Sequence, residues 1–506
     1  ARALGKAVAA RWVVWGGYQK SGTRVRLTPQ FINTETGESA RIEKIDGHID
    51  DIFEMQDRIV IQLAAFLNIE LTSTEVAEIA VPQTADISAY ELYAKGQLAL
   101  LEFGKESART ATEYFRRAIA IDENYALAWA GLGSLLMPKY IASGNPVDLT
   151  DGVTALQRAM QLDPSLSTPH AFLSYMYTQQ GRFEEAIHAA RTAIEREPGH
   201  HFAWYLMALP LLSRALRDGT LNDLVRAIPL LLRSWSVNAT FHPAPLVAGS
   251  IYTLRGQYAH AIPLLDGAVS RELEGTGQIF LGPLVARGIV HARSGEVGAA
   301  FGLFDSAISR YPKLDHVYAE TMTAWALFSR GRLSEQVRDL PGAQRDFDQG
   351  VQLAEANDHR LAIGAQWLKC KLGLARLAWV RGDVETSDKL LEETTTMLRT
   401  KHRFIWISFA GGSEGELTYE MASTCALRGE TTNALQWLDN AIRLGWSDAH
   451  QLNSDGSFDA LRETPALRQL MAHAASLITL PPPVDAGGFP SIGDDDNSFA
   501  SIAPGS

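Results

Sequence analysis

Cysteine is nearly absent from this chain: 506 residues carry two, Cys370 and Cys425. Two cysteines exclude a four-cysteine zinc site and a cysteine-ligated iron–sulfur cluster built by this chain alone. Both fall in helix-like segments, and two lone thiols fit a reducing compartment better than a disulfide scaffold. Long apolar runs are missing too. Stretches such as Ile279–Leu284 fall far short of the ~18 residues that would span a membrane. Positive charge is outnumbered, with 46 Lys and Arg against 58 Asp and Glu and a net charge of −12. A chain of that sign is a poor candidate for binding bulk nucleic acid, which needs a basic stripe. The first residue is Ala1, and the chain opens in mid-pattern with ARALGKAVAARWVVWGG. We read it as a fragment or a processed product, so a missing signal peptide says little about location.

What is present is ordinary globular composition, 46% apolar and 21% charged. At ~150 residues per domain, the length suggests about three domains. Residues 1–72 mix strands and helices. In 11–20 and 23–33, two strand-like runs flank a Ser21-Gly22 turn. Val25, Leu27 and Phe31 share one face of the second run, and Arg24, Arg26, Thr28 and Gln30 the other. A third strand is expected over Glu38–Ile45. Asp51 followed by Glu54 reads as a capping-box-like helix start, after which Ile52, Met55, Ile59, Leu63 and Phe66 recur at helical spacing. Residues 73–86 read as a linker. Residues 87–478 are almost entirely helical in pattern, ending in a capping helix over Leu461–Leu477. Residues 479–506, rich in Pro, Gly, Ser and Asp, have little to bury and read as a disordered tail.

The long region has a period near 34 residues. Its clearest unit is Ser167–Gly199, STPHAFLSYMYTQQGRFEEAIHAARTAIEREPG. Ala186 and Ala193 are small enough for two antiparallel helices to cross closely. Gly181 permits a positive φ in the turn, and Pro198 stops the second helix. Trp129, Gly133 and Ala159 mark a unit with an insertion around Ile141–Leu149. Gly96 with Phe115, Gly288 with Phe304, Ala343 with Phe347, and Gly429 with Ala434 mark others. About nine helical pairs result. None can bury its apolar face alone, so they must stack as an α-solenoid.

These positions resemble those of the tetratricopeptide repeat. The stretch ARWVVWGGYQKSGTRVRLTPQFINTETGESARIEKIDGHIDDIFEMQDRIV resembles the C-terminal half of a TolB-like (FlgO-like) α/β domain. Gly445-Trp446, Phe458, Leu461 and Leu467 resemble the unit that closes such arrays. The resemblance implies the C-terminal part of a bacterial signalling protein, whose upstream domain is commonly a serine/threonine kinase, a nucleotide cyclase or a winged-helix domain. This chain carries neither that output domain nor the first strands of the TolB-like domain. The resemblance implies a bacterial cytoplasmic location, or a periplasmic one if a membrane helix precedes the fragment.

Chemistry-bearing motifs are few. A kinase's glycine-rich loop, catalytic Asp and metal-binding Asp are missing, as is a phosphate-binding loop. Gly411-Gly412-Ser413-Glu414-Gly415 fits G-x-S-x-G after a strand-like run at Phe404–Phe409. Asp439 and His450 would nominally complete a triad, but no βαβ series surrounds it, and the stretch reads as an inter-helix loop. A serine hydrolase using Ser413 is a remote alternative. His200-His201 reads as a pair of solvated turn histidines, and Asp494–Asp496 as solvated tail charge. No cofactor or metal is implied.

Function therefore falls to the repeat surface. In tetratricopeptide arrays, set positions of each first helix face the concave groove. In the unit opening at Ser167 these are Thr168, Ala171, Tyr175, Thr178 and Gln179. In the unit opening at His201 they are Phe202, Tyr205, Leu209, Leu212 and Ser213, and in that opening at Leu281 they are Val285, Ile289, Ala292 and Arg293. Tyr, Thr and Leu with one Arg suggest a peptide or helix ligand anchored by apolar or aromatic side chains. The alternative is that these residues pack against an insertion or a second copy. The expected function is non-catalytic protein recognition, as the sensor half of a signalling protein or as a stand-alone scaffold. An unpaired sheet edge at the N-terminus favours self-association.

Overall fold

The computed structural model describes residues 12–34, 36–41, 44–67, 69–72, 84, 86–100, 104–143, 145–274, 280–316, 318–356, 364–400, 413–477 and 480. The strand-like run at Phe404–Phe409, Gly411-Gly412, most of the linker and the expected tail lie outside them.

Strands β1 (Trp12–Ser21) and β2 (Arg24–Asn33) form the expected hairpin, with Trp12 opposite Asn33 and Ser21 opposite Arg24. The single third strand is instead two short pieces, β3 (Ser39–Arg41) and β4 (Ile45–His48), both antiparallel to β2. Arg41 faces Gln30 and Ile45 faces Leu27. Between these two paired positions β2 advances three residues and the third strand four. Helix α1 (Ile52–Phe66) covers one face. Its Met55 packs on Val25 and Ile45, and its Phe66 on Phe31 with ring centroids 4.7 Å apart. Asp51 does hold the N-cap position, but its side chain makes no capping bond; a short 3-10 turn leads in instead. On β1, Trp15 and Tyr18 stay exposed.

The rest is helix. Nine antiparallel pairs are found among the described residues: α2 (Ile87–Leu100) with α3 (Lys105–Ile121), α4 (Ala126–Ser143) with α5 (Pro146–Leu162), α6 (Ser167–Gln179) with α7 (Phe183–Arg196), α8 (His201–Asp218) with α9 (Asn222–Val237), and α10 (Pro243–Leu254) with α11 (Tyr258–Glu274). Then follow α12 (Pro283–Arg293) with α13 (Val297–Arg310), α14 (Ala319–Gln336) with α15 (Leu340–Glu355), α16 (Gly364–Val380) with α17 (Val384–Thr400), and α18 (Glu414–Leu427) with α19 (Thr431–Arg443). The short α20 (Ala449–Ser454) and the capping helix α21 (Pro465–Ser476) close the array. The chain is a tetratricopeptide-type α-solenoid behind a small α/β unit. The expected insertion near residue 145 is no loop: α4 and α5 are long helices, and Asn145 caps α5 by accepting from the Val147 amide at 3.1 Å.

Stacking follows a simple interlock. A phenylalanine on the second helix of a pair presses on a glycine of the first. Phe115 lies against Gly96 and Gly131, Phe304 against Gly288, and Phe347 against Gly331 and Gly373. The glycine admits the ring, and the ring fixes the spacing of neighbouring pairs. Gly181, at φ +75°, makes the sharp turn between α6 and α7.

The array also turns back on itself. The Lys105 amide donates to Asp315 at 3.2 Å, and its ammonium lies 2.5 Å from Glu320. Pair one therefore touches the start of pair seven.

A Cβ added at Gly373 would lie 2.5 Å from Phe347 Cε2. Glycine to alanine inside a helix normally gains about 1 kcal/mol, whereas overpacking costs about 1–3 kcal/mol. Gly373→Ala is therefore expected to lower the unfolding midpoint in a denaturant titration. A rise would disprove the interlock at this position.

Candidate functional site: the inner face of the solenoid

The first helices turn one side toward the inside of the curve. In pairs three and four that side is aromatic. Phe172 and Phe202 lie 5.2 Å apart, Phe202 stacks on Tyr205 at 5.8 Å, and Tyr205 meets Phe241 edge-on at 5.3 Å. Tyr175 interacts with Tyr205, Tyr140 and Tyr318, and burial pushes its phenol well above its ordinary range. Of the expected groove residues, Ala171, Tyr175, Thr178, Tyr205, Leu209 and Val285 are buried. Thr168, Gln179, Phe202, Ile289 and Arg293 are partly exposed. The Thr178 hydroxyl is spent inside its own helix, donating to the Ser174 carbonyl at 2.8 Å.

Part of this face is covered by the chain's own last unit. The apolar core that begins in α5 and α6 runs through α8, α10, α12 and α14 into Tyr419, Trp446, Phe458 and Leu480. Trp446 is fully buried and stacks on Tyr419 at 4.5 Å. The Ser447 amide donates to the Leu254 carbonyl at 3.2 Å.

Charge lines the contact. Arg293 lies 2.9 Å from Asp448 and 3.5 Å from Glu416, which also accepts from Lys369 at 3.3 Å. Arg332 reaches Glu335 at 2.7 Å, Asp455 at 2.9 Å and Glu420 at 3.1 Å. Arg376, wholly buried, reaches Glu335 at 2.8 Å and Glu420 at 3.0 Å. The hydroxyls of Tyr419 and Ser423 donate to Asp455 at 3.0 and 2.9 Å, and that of Tyr258 to Asp448 at 2.6 Å. Arg255 donates to the Gly445 carbonyl at 3.1 Å, and burial lowers its guanidinium to about 10.

Burial by itself would raise the carboxyls of Glu335, Glu416 and Asp455. Arg376 and Arg332 beside Glu335, Lys369 and Arg293 beside Glu416, and Arg332 beside Asp455 outweigh it and hold all three below their ordinary range. Removing one member of such a set strands the others in a medium of low dielectric.

Most of these residues escape a reading of three repeat units. Lys369 and Arg376 lie inside GAQWLKCKLGLARLAWV, a helix otherwise nearly apolar. That contrast was the available signal. The partners of Arg376, Glu335 and Glu420, are 41 and 44 positions away and no spacing rule links them.

The nominal triad does not assemble. Ser413 caps α18, its Oγ accepting from the Glu416 amide at 3.1 Å. Asp439 is paired with Arg443 at 2.9 Å, and His450 stacks on Tyr258 at 5.2 Å. His200 and His201 are not solvated as expected. His201 opens α8, and burial lowers it to about 4. His200 is held near Ser167, 3.3 Å from its hydroxyl. Both cysteines are buried and free, and burial pushes the Cys425 thiol up to about 12. Among the described residues there is no cluster of metal-ligating side chains, and no helix is long and apolar enough to cross a membrane. Among the described residues, cavities of about 60 and 30 Å³ lie between the inner face and the last unit, the first lined by Arg293, Arg332, Lys369 and Glu416 and the second by Leu216, Ser250 and Ser413. They have room for water, not for a metabolite.

Residues 170–200 match the tetratricopeptide-repeat family model. That segment is α6, the Gly181 turn and α7, where the periodicity is cleanest. The chain is also 29% identical over 191 residues, 37% of its length, to a Rhizobium meliloti (strain 1021) protein named putative adenylate cyclase 3. It spans about a third (32%) of that curated relative. A crystal structure of the APC/C hetero-tetramer Cut9-Hcn1 aligns over 84% of this chain and 76% of its own, at 12% identity and a TM-score of 0.41.

Two outcomes are expected. The three depressed carboxyls stabilise the fold fully above the ordinary carboxylate range, near pH 4, and that contribution fades as pH falls through their lower folded values. Below about pH 4 the thermal midpoint should drop steeply; a flat profile from pH 4 to 3 would contradict the network. Tyr175→Ala, which empties a buried ring site, should cost about 3–5 kcal/mol in urea unfolding, so Tyr175→Phe is the variant that probes the hydroxyl alone.

Proposed function

We propose that this chain is the partner-recognising, non-catalytic part of a bacterial signalling protein. The single observation that carries the reading is the tetratricopeptide match at residues 170–200, within an array of pairs stacked to present one inner face. Stacked helical pairs create an extended concave surface suited to protein ligands. The partial likeness to a protein named as a cyclase supports the signalling context. So does the resemblance of residues 10–60 to a TolB-like domain. The partner is a peptide or helix. It meets the inner surface at Thr168, Gln179 and Phe202, with Ile289 and Arg293 at the edge covered by the last unit, over a floor of Ala171, Tyr175, Thr178, Tyr205, Leu209 and Val285.

The test has two readouts on the purified chain and in the native cell. With ATP and magnesium or manganese, the chain should form no cyclic AMP; turnover would overturn the non-catalytic reading. Cross-linking mass spectrometry in the native bacterium should join a protein to segments 167–179, 201–213 or 283–293. Cross-links confined to the outer helices would overturn the inner-face assignment.

A further inference from the structure

We propose that the inner face of pairs five to seven is a receptor for an acidic peptide segment bearing a large aromatic residue, and that residues 445–458 occupy it as a built-in competitor. The proposal rests on the partner-recognition reading above and names the chemistry of the ligand. Its first support is charge complementarity. The receptor side presents Arg255, Arg293 and Arg332, each on or just after a different first helix. The segment meets them with the Gly445 carbonyl, Asp448 and Asp455. These contacts join residues 190, 155 and 123 positions apart, so none arises from repeat-to-repeat stacking.

The second support is the form of the segment. It consists of the six-residue α20 and a three-residue 3-10 turn. Helices that short have no stability of their own. What holds them is Trp446 and Phe458, both fully buried, with two aspartates that are almost wholly buried as well. Both aspartates also cap their own local structure, Asp448 accepting from the Gln451 amide and Asp455 from the Ser457 amide, each at 3.0 Å. A ligand-like segment of this kind, an aromatic anchor beside two carboxylates, defines what an external competitor must carry to displace it.

The experiment uses the full chain with Asp448→Asn and Asp455→Asn together, which keeps size and the capping oxygens, removes the charge and turns the oxygens facing Arg293 and Arg332 into NH2 donors. The probe is a fluorescent peptide of residues 444–461, LGWSDAHQLNSDGSFDAL, and the control is the same peptide with Asp448→Asn and Asp455→Asn. The variant chain should exchange amide hydrogens across 445–458 about a hundredfold faster than the unchanged chain, with 167–237 unaffected. It should capture the acidic peptide at least about tenfold more tightly than the unchanged chain does, and Arg293→Ala with Arg332→Ala should abolish that capture. Unchanged exchange at 445–458, or equal capture of the acidic and neutral peptides, overturns the proposal. If circular dichroism finds the variant unfolded, the unchanged chain decides. Saturating acidic peptide should then accelerate exchange at 445–458 alone, and no acceleration overturns the receptor. Failure here with inner-face cross-links intact would leave the partner-recognition reading standing; loss of both would remove it.

Discussion

The buried ion network between the inner face and the last unit is the constraint on which the closed form of this molecule depends. Repeat stacking needs only neighbours. Nothing in the Phe–Gly interlock brings residue 448 to residue 293. Arg293 and Arg332 do that, because each must find a carboxylate once the curve of the array removes it from water. Apolar residues could have filled the same space at no cost in stability, and buried ion pairs are often replaceable in that way. What charge adds is directionality. Asp455 accepts from Arg332, Tyr419 and Ser423 at once, and only one placement of the segment satisfies all three.

That constraint also accounts for the character of the inner face. Pairs three and four meet each other through rings, and their tyrosines are covered. Pairs six to eight carry the charges. An open groove would leave Tyr175 and Tyr205 half in water; here they are 7% and 5% exposed. The inner face is thus two surfaces in series, an aromatic one used for internal packing and a charged one that holds the last unit.

Local chemistry was legible in the sequence wherever it acts through near neighbours. Gly181 with its positive φ, the small residues at the α6–α7 crossing, and Phe115 and Phe304 against Gly96 and Gly288 all follow from spacing. The alternation in β2 did too. Legibility failed where partners are remote or where one residue changes a count. The extra step between Arg41 and Ile45 splits a strand that reads as continuous. His201 looks like a turn residue until α9 packs over it through Ser234 and Asn238. Ser413 fits a catalytic pattern in five letters, yet its oxygen is committed to capping α18, a role that any helix N-terminus offers a serine.

The charged half of the site could have been suspected from one helix. In α16, two lysines and an arginine interrupt a run of Trp, Leu, Cys and Ala. On a surface helix such residues face solvent and need nothing further. Here Lys369, Lys371 and Arg376 are 2%, 7% and 0% exposed, while the helix is buried on nearly every side. A cation enclosed in that way requires an anion brought to it. For Lys371 the partner is Glu393, on the adjoining α17 at 2.6 Å. For Lys369 and Arg376 the carboxylates come from the unit that follows, through Glu416 and Glu420. Sequence order alone thus supplies the eighth pair's counter-charges, whereas the pairing of Arg293 with Asp448 and Glu416, and of Arg332 with Asp455 and Glu420, requires the array to curl.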